Sequence, residues 1–293
     1  MSRPVTAQLD VCIVSWRTRD LLRTCLHSLG DSPEVAHITV VDNASADGTV
    51  EMVQTQFPAV HLIANHRNVG FAAGNNQAIA SGCAPFVLLL NPDTEVQPGA
   101  LAALLETFSE EQRSGAVAAQ LLFADGAIQP SCRSFPEPAP ILYDALGLAR
   151  IFPGSPTFGR YRMTYWDYSS RRDVDQPMAS ALAVRRSALD EVGLFDEDFP
   201  LYFNDVDLCH RLRGAGWRII YEPRAHVIHY YGQSTFQVRH AAVLESHRSL
   251  IRFYRKHYRG RIGWIGYTAV TLGARITMYP RAVVAWLAQS IGA

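Results

Sequence analysis

The sequence has 293 residues, of which 48% are hydrophobic and 18% charged, enough apolar material to bury the core of one large domain. Its 27 basic and 27 acidic residues balance to a formal charge of zero, which removes the electrostatic footprint of a nucleic-acid binder. The five cysteines, Cys12, Cys25, Cys83, Cys132 and Cys209, are odd in number and never spaced C-x-x-C, which argues against a disulfide framework or zinc site and fits a reducing cytoplasm. Residues 1–10 are polar, lack the apolar core of a signal peptide, and lead into an apolar run at 11–16 that reads as a buried strand. Leucines at helical spacing predict a helix over 20–29. Further strands are predicted at 37–41, 60–63 and 85–90, each separated from the last by a candidate helix. This alternation predicts a parallel sheet covered by helices, with ligands bound beyond the carboxyl ends of its strands. Between 129 and 177 the periodicity gives way to prolines, aromatics and arginines, predicting a long, partly mobile loop region over the site. A strand at 181–184 and a short helix over 205–213, ended by Gly214, follow. The apolar tail, 261–293, is interrupted by Arg275, Pro280 and Arg281. Neither half reaches the roughly 20 residues needed to cross a bilayer. It reads either as an interfacial helix pair on a membrane surface or as helices packed back on a domain spanning 1–260.

Polar residues gather where the predicted strands end. Asn91-Pro92-Asp93 follows a nearly all-apolar strand, and such a strand delivers a carboxylate to the sheet edge, where a hard oxygen ligand suits Mg²⁺ or Mn²⁺. The same three residues also read as an Asx-turn stopped by Pro92. In residues 42–48, Ser45 and Asp47 read as helix-capping residues, while Asp42 lies where it can accept a hydrogen bond from a base or ribose. Residues 68–76 carry glycines that permit close backbone approach and open a helix toward an anion, or else serve helix packing. Residues 193–208 set acids among aromatics at the start of the short helix. Leu208 and Leu212 face the core there, and Asp205 faces the cleft. His226 and His229 flank a β-like run at 225–231, where a lone histidine is more often structural than a ligand.

Taken in order, these five motifs across residues 10–234 resemble the family 2 inverting glycosyltransferases, and more narrowly their bacterial rhamnosyltransferase branch. The resemblance implies a GT-A fold, a Rossmann-like, mostly parallel sheet flanked by helices, here with a C-terminal helical appendage. It implies a nucleotide-sugar pocket formed by Ser15, Trp16, Asp42, Asn68, Gly74, Asn91 and Asp93. Asp93 and His229 are then the metal ligands and Asp205 the catalytic base. Three positions depart from the pattern: Asn91 replaces an acid, Asn204 replaces a glutamate, and Ser180 stands for a glycine.

The implied chemistry is one in-line displacement at the anomeric carbon, in which Asp205 removes the acceptor proton while a metal-bound diphosphate departs. An aspartate is ionised near neutral pH, so Asp205 is expected to need positioning more than a raised pKa. The expected donor is dTDP-rhamnose, with UDP-hexoses and UDP-N-acetylhexosamines as competitors. The expected acceptor is lipid-linked or a polysaccharide, met at the inner membrane face. A nucleotidyltransferase lacks support, since its Gly-rich, basic N-terminal signature is missing, and a noncatalytic carbohydrate binder need not keep Asp93, Asp205 and His229 together.

Overall fold

The computed structural model describes residues 7–30, 32–230 and 239–291. Tyr231 and the end of the resemblance at Ser234 lie outside the described residues, as do the side chains of Val284, Trp286, Leu287 and Ile291. The chain begins with β1 (Leu9–Ser15), α1 (Arg19–Leu29), β2 (Val35–Asp42), α2 (Thr49–Gln56), β3 (His61–Ala64), α3 (Phe71–Ala80) and β4 (Phe86–Leu90). β5 (Thr94–Val96), α4 (Ala100–Glu110), β6 (Ser114–Leu122) and β7 (Cys132–Arg133) come next. Then follow α5 (Pro138–Ala145), α6 (Leu148–Ile151), β8 (Arg172–Asp173), β9 (Gln176–Pro177), β10 (Ala181–Arg185), α7 (Arg186–Val192), α8 (Asn204–Gly214) and β11 (Arg218–His229). The described chain closes with α9 (Arg239–Phe253), a π-helical turn (Tyr254–Tyr258) and α10 (Arg259–Ile291).

One sheet runs in the order β3-β2-β1-β4-β10-β6-β11-β5, with β8 also on β11. β1 is buried along its whole length because strands flank it on both sides and helices cover both faces, which explains its unbroken apolar run. The four N-terminal strands are parallel, as the alternation predicts. The sheet as a whole is mixed, however, since β10 runs antiparallel to β4 and β6, and β5 antiparallel to β11. Buried Asp10 locks the amino-terminal edge. It accepts from Arg186 at 2.8 Å and from the Ala84 N–H at 2.7 Å, which joins β1, β4 and α7.

The predicted mobile region is anchored instead. Tyr168 is buried, stacks on Trp166 at 4.1 Å and donates its hydroxyl to the Cys132 carbonyl, while the Gln120 amide holds its carbonyl at 3.1 Å. The prolines and aromatics that break periodicity here are packing material for α5, α6 and three short strands.

The tail also differs from expectation. Its helix continues through Pro280, and the bend falls at Gly263, whose φ of 66° lies in the left-handed region that glycine tolerates. Ile262, Tyr267 and Val270 pack against a buried cluster of Phe199, Val206, Phe253, Tyr254 and Tyr258, so the start of the tail belongs to the fold. Farther along, Ala274, Met278 and Ala282 are buried while Leu272, Ile276 and Tyr279 are exposed. Among the described residues no helix is long and apolar enough to cross a membrane. All five cysteines are free. Four are buried, and burial raises their thiol pKa values, to about 12 for Cys12, Cys25 and Cys132, so only exposed Cys83 is chemically available.

Candidate active site

Strand register gathers the polar residues on one edge. Ser15 stands opposite Asp42 and Ile13 opposite Leu90, so the chain leaves β1, β2 and β4 at the same height. A cleft of about 410 Å³ opens there, walled among others by Trp16, Asn68, Asn91, Asp93, Asp205 and His229. Six of the predicted site residues therefore share one cavity. Ser15, Asp42 and Gly74 lie behind its wall.

β5 turns back from the end of β4 and pairs Thr94 with His229 across the antiparallel ladder, while the Tyr230 N–H donates to the Asp93 carbonyl at 2.9 Å. These bonds bring His229 Nε2 to 3.5 Å from Asp93 Oδ1, with both side chains almost fully buried. On the far side of the ring, Nδ1 lies 2.7 Å from Gln129 Oε1. The Gln129 contact fixes the orientation of the ring, so that Nε2 and the Asp93 carboxylate face one another. The donor set of one carboxylate oxygen and one imidazole nitrogen fits Mg²⁺ or Mn²⁺, ions that take their remaining ligands from water and diphosphate oxygens. Among the described residues no group of three His, Cys, Asp or Glu side chains converges.

Asn91 does not behave as an Asx-turn residue. Its amide donates to Ser180 Oγ at 3.1 Å, its N–H donates to the Ser180 carbonyl at 2.9 Å, and its carbonyl accepts from Thr94 Oγ1 at 2.7 Å. Two of the three departures from the family pattern are thus partners, tying the end of β4 to the start of β10.

Asp205 occupies the first turn of α8, directly after Phe203, a non-glycine residue at φ 66°. Such backbone strain concentrates at functional sites. Asn204 spans this entry, donating to the Phe199 carbonyl at 3.2 Å and accepting the Asp205 N–H at 2.8 Å, so it shapes the loop rather than supplying charge. Burial pushes the Asp205 carboxyl above the ordinary aspartate value, against the pull of backbone N–H groups from Val206 and Ala179. A raised pKa makes it a stronger base than the sequence reading expected. Two residues on, fully buried Asp207 faces inward to Lys256 at 2.7 Å, His257 at 2.7 Å and Arg211 at 2.8 Å. Burial alone would raise its pKa, but the hydrogen bonds from His257, Lys256 and Arg211 outweigh it and hold the carboxyl far below its usual range.

The residues behind the wall have other settings. Asp42 accepts from the Ser45 N–H at 3.1 Å through Oδ2, while its buried Oδ1 has no hydrogen-bond partner among the described residues. An unsatisfied buried carboxylate oxygen is costly and invites a donor from a ligand. Ser15 hydrogen-bonds Thr18 at 3.0 Å beneath the cleft. Gly74 is a contact glycine: a Cβ there would meet Val14 Cγ1 at 2.9 Å. Asn68 accepts the Gly70 N–H at 2.9 Å, and the first N–H of α3, on Phe71, goes to the Pro200 carbonyl at 2.7 Å rather than to an anion. The N-cap position of α2 is Gly48, not Ser45 or Asp47; Asp47 accepts the Thr49 N–H from one residue outside it, and Ser45 accepts the Arg17 N–H. Of the aromatics at 195–203, Phe195 and Phe199 are core, Phe203 packs on Phe253, and Tyr202 lines the cleft.

The family model described as Glycosyl transferase family 2 matches residues 10–155. The N-acetylglucosaminyl-diphospho-decaprenol L-rhamnosyltransferase of Mycobacterium tuberculosis is 32% identical over 268 residues, covering 87% of each chain. The chain belongs to glycosyl transferase family 2. A second relative, rhamnosyltransferase WbbL of Escherichia coli K12, is 28% identical over 230 residues, 75% of this chain and 82% of that protein. Among solved structures, mannosyltransferase PcManGT from Pyrobaculum calidifontis, in complex with GDP-Man and Mn²⁺, aligns with a TM-score of 0.59 at 18% identity. That alignment covers 98% of this chain and 76% of the other. S. aureus TarS 1-349 aligns at 0.53 with 17% identity over 87% and 74% of the two chains. These likenesses show the GT-A fold. Family membership makes the protein an inverting, nucleotide-sugar-dependent glycosyltransferase and disposes of the nucleotidyltransferase and noncatalytic alternatives.

Within this family 2 enzyme, sequence reasoning missed Gln129, which orients His229, and Arg133, whose charge acts on Asp205 and whose guanidinium lies 5.8 Å over the Tyr161 ring. Both fall in the aperiodic region. A lone glutamine or arginine there carries no local signal, because its role arises from distant pairing.

Proposed function

We propose that this enzyme transfers L-rhamnose from dTDP-rhamnose to a lipid-linked saccharide, using Asp205 as general base. One observation carries the reading: a single cleft is lined by two chemically distinct groups, the Asp93–His229 pair and Asp205. The first suits a diphosphate and its counter-ion, the second an acceptor hydroxyl.

The acceptor oxygen attacks the anomeric carbon from the Asp205 side and its proton passes to the carboxylate. The bond from that carbon to the diphosphate oxygen breaks on the opposite face, and the electron pair leaves with the diphosphate, so configuration inverts once. Asp42 accepts the imide N–H that thymine and uracil share. Trp16 and Asn68 border the nucleotide, Asn91 stiffens the floor with Ser180, and Ser15 and Gly74 set its depth from behind. Asp93 and His229 would hold Mg²⁺ or Mn²⁺, which when bound neutralises charge on the departing diphosphate. Met178, Leu201, Tyr202 and Pro200 give the cleft an apolar wall suited to the methyl group of a 6-deoxy sugar. The rhamnosyl and lipid-diphosphate assignments draw on the names of the mycobacterial and E. coli relatives.

The transferase domain, residues 1–260, then holds the start of the tail against itself, and the exposed apolar residues of the tail rest on the cytoplasmic membrane face, where a lipid-linked acceptor resides. The test is a donor panel: purified enzyme, Mg²⁺ or Mn²⁺, a lipid-diphosphate-sugar acceptor, and dTDP-rhamnose or one of several UDP-hexoses. Release of dTDP with a new rhamnosyl linkage is expected. Robust transfer from a UDP-hexose with none from dTDP-rhamnose defeats the donor assignment.

A further inference from the structure

A second cavity lies apart from the catalytic cleft. It measures about 620 Å³ and runs between residues 137–160 and the start of α10. We propose that it seats the diphosphate and first prenyl units of the acceptor lipid, with Arg261 as the main anion-binding group and Arg160 as its neighbour. This assignment rests on the lipid-linked acceptor reading above.

The lining joins two chemistries. Pro138, Pro140, Tyr143 and Ile262 supply a rigid apolar surface, and Arg160 and Arg261 are its cationic groups. Glu137 is the one acid on the wall, and Arg160 answers it at 3.4 Å. No carboxylate among the described residues lies within ion-pair distance of Arg261. The wider field points the same way. From position 246 to the end the sequence carries eight arginines and lysines and no aspartate or glutamate, although the whole chain is neutral. Of these, Arg252 is paired with Glu245 and Lys256 with Asp207 and Asp196, while Arg261 has no such partner among the described residues and offers its charge to an anionic ligand.

Arg160 adjoins Tyr161, whose ring lies 5.8 Å under the Arg133 guanidinium. For transfer, the saccharide of the acceptor must reach Asp205 while its diphosphate stays with Arg261. Leu142, Leu146, Ile151 and Phe152, in and beside α5 and α6, and Trp264 and Ile265, close after the lining residues Arg261 and Ile262, are all exposed. Singly exposed apolar residues need no explanation, but two groups on the elements that line a cationic cavity suit contact with a prenyl chain.

The test uses the full chain with the nucleotide site saturated by dTDP, so that added diphosphate cannot enter the donor cleft. Calorimetry then measures farnesyl diphosphate, inorganic pyrophosphate and farnesol. Farnesyl diphosphate is expected to bind more tightly than either fragment, and Arg261→Ala is expected to weaken it by about tenfold or more, the order of one charge-assisted contact. Affinity for dTDP, which reports an intact fold, should not change. Arg261→Gln should behave like the alanine variant. Equal farnesyl diphosphate affinity in wild type and variants overturns the proposal, as does pyrophosphate binding as tightly as the prenylated form. A separate outcome judges the acceptor reading itself: wild-type enzyme that glycosylates a soluble acceptor but never a lipid-diphosphate one defeats that reading, whatever the binding arm returns.

Discussion

Replacing Asp205 by asparagine preserves the shape of the first turn of α8, and the bond from the Val206 N–H to the side-chain oxygen, 2.8 Å in the wild type, survives. What disappears is one of the two carboxylates that line the cleft. The other, Asp93, is set against His229 as the proposed metal ligand, so it does not substitute as base. General-base catalysis is worth about 10²- to 10⁴-fold, and the lack of a substitute places the expected loss of kcat near the upper end, about 5 kcal/mol in the barrier. Stability should move the other way. Burial raises the folded pKa of Asp205 above its unfolded value, so its contribution to stability is full below the unfolded pKa and is lost as pH rises through the folded one. At neutral pH the ionised group therefore opposes folding, and asparagine leaves Tm unchanged or higher. Single-turnover release of labelled nucleoside diphosphate measures the chemical step, calorimetry the donor affinity, and a thermal melt the stability. In the wild type the acid limb of kcat/KM should lie at higher pH than an ordinary aspartate would give. Near-normal turnover, or loss of donor binding together with turnover, would refute the assignment.

Asp93→Ala should weaken metal-dependent nucleotide binding while leaving the metal-free component alone, and unchanged calorimetric affinity with and without Mn²⁺ removes Asp93 from the metal site. Asp207→Asn should cost about 3 kcal/mol, because Lys256, His257 and Arg211 converge on that one buried carboxylate, and urea unfolding measures it. Its folded pKa is depressed, so in the wild type this contribution is present above the unfolded pKa and is lost as pH falls toward the folded one. Trp264→Asp combined with Ile265→Asp should reduce co-sedimentation with anionic liposomes, and equal pelleting rules those exposed residues out as a membrane contact.

The N-terminal half of the fold was legible because it repeats a local rule. Apolar runs at 11–16 and 85–90 and the leucines of α1 carry strand and helix periods that survive any tertiary context. The antiparallel entry of β10 was not, since nothing within Ala181–Arg185 encodes strand direction; pairing with β4 and β6 decides it. At the site, motif order named Asp93, Asp205 and His229 as candidates, and the structure gathers them in one cleft. Their supports were invisible. Gln129 lies 100 positions from His229 and Ser180 lies 89 from Asn91, separations no local pattern spans. The aperiodic region at 129–177 reads as a long, partly mobile loop for a related reason: aromatic anchoring of the Tyr168 kind leaves no periodic trace.

The arrangement of thiols gives the enzyme a built-in attachment point. Cys83 lies just before β4, and the strand's five residues, roughly 17 Å of extended chain, separate that end of the sheet from Asn91 at the cleft. A maleimide dye added to the unaltered protein will react there and leave the other four sulfurs untouched. Because the label sits on the edge remote from the cleft, its quenching by lipid-borne acceptors reads the height and tilt of the sheet above a bilayer during turnover, with no engineered cysteine.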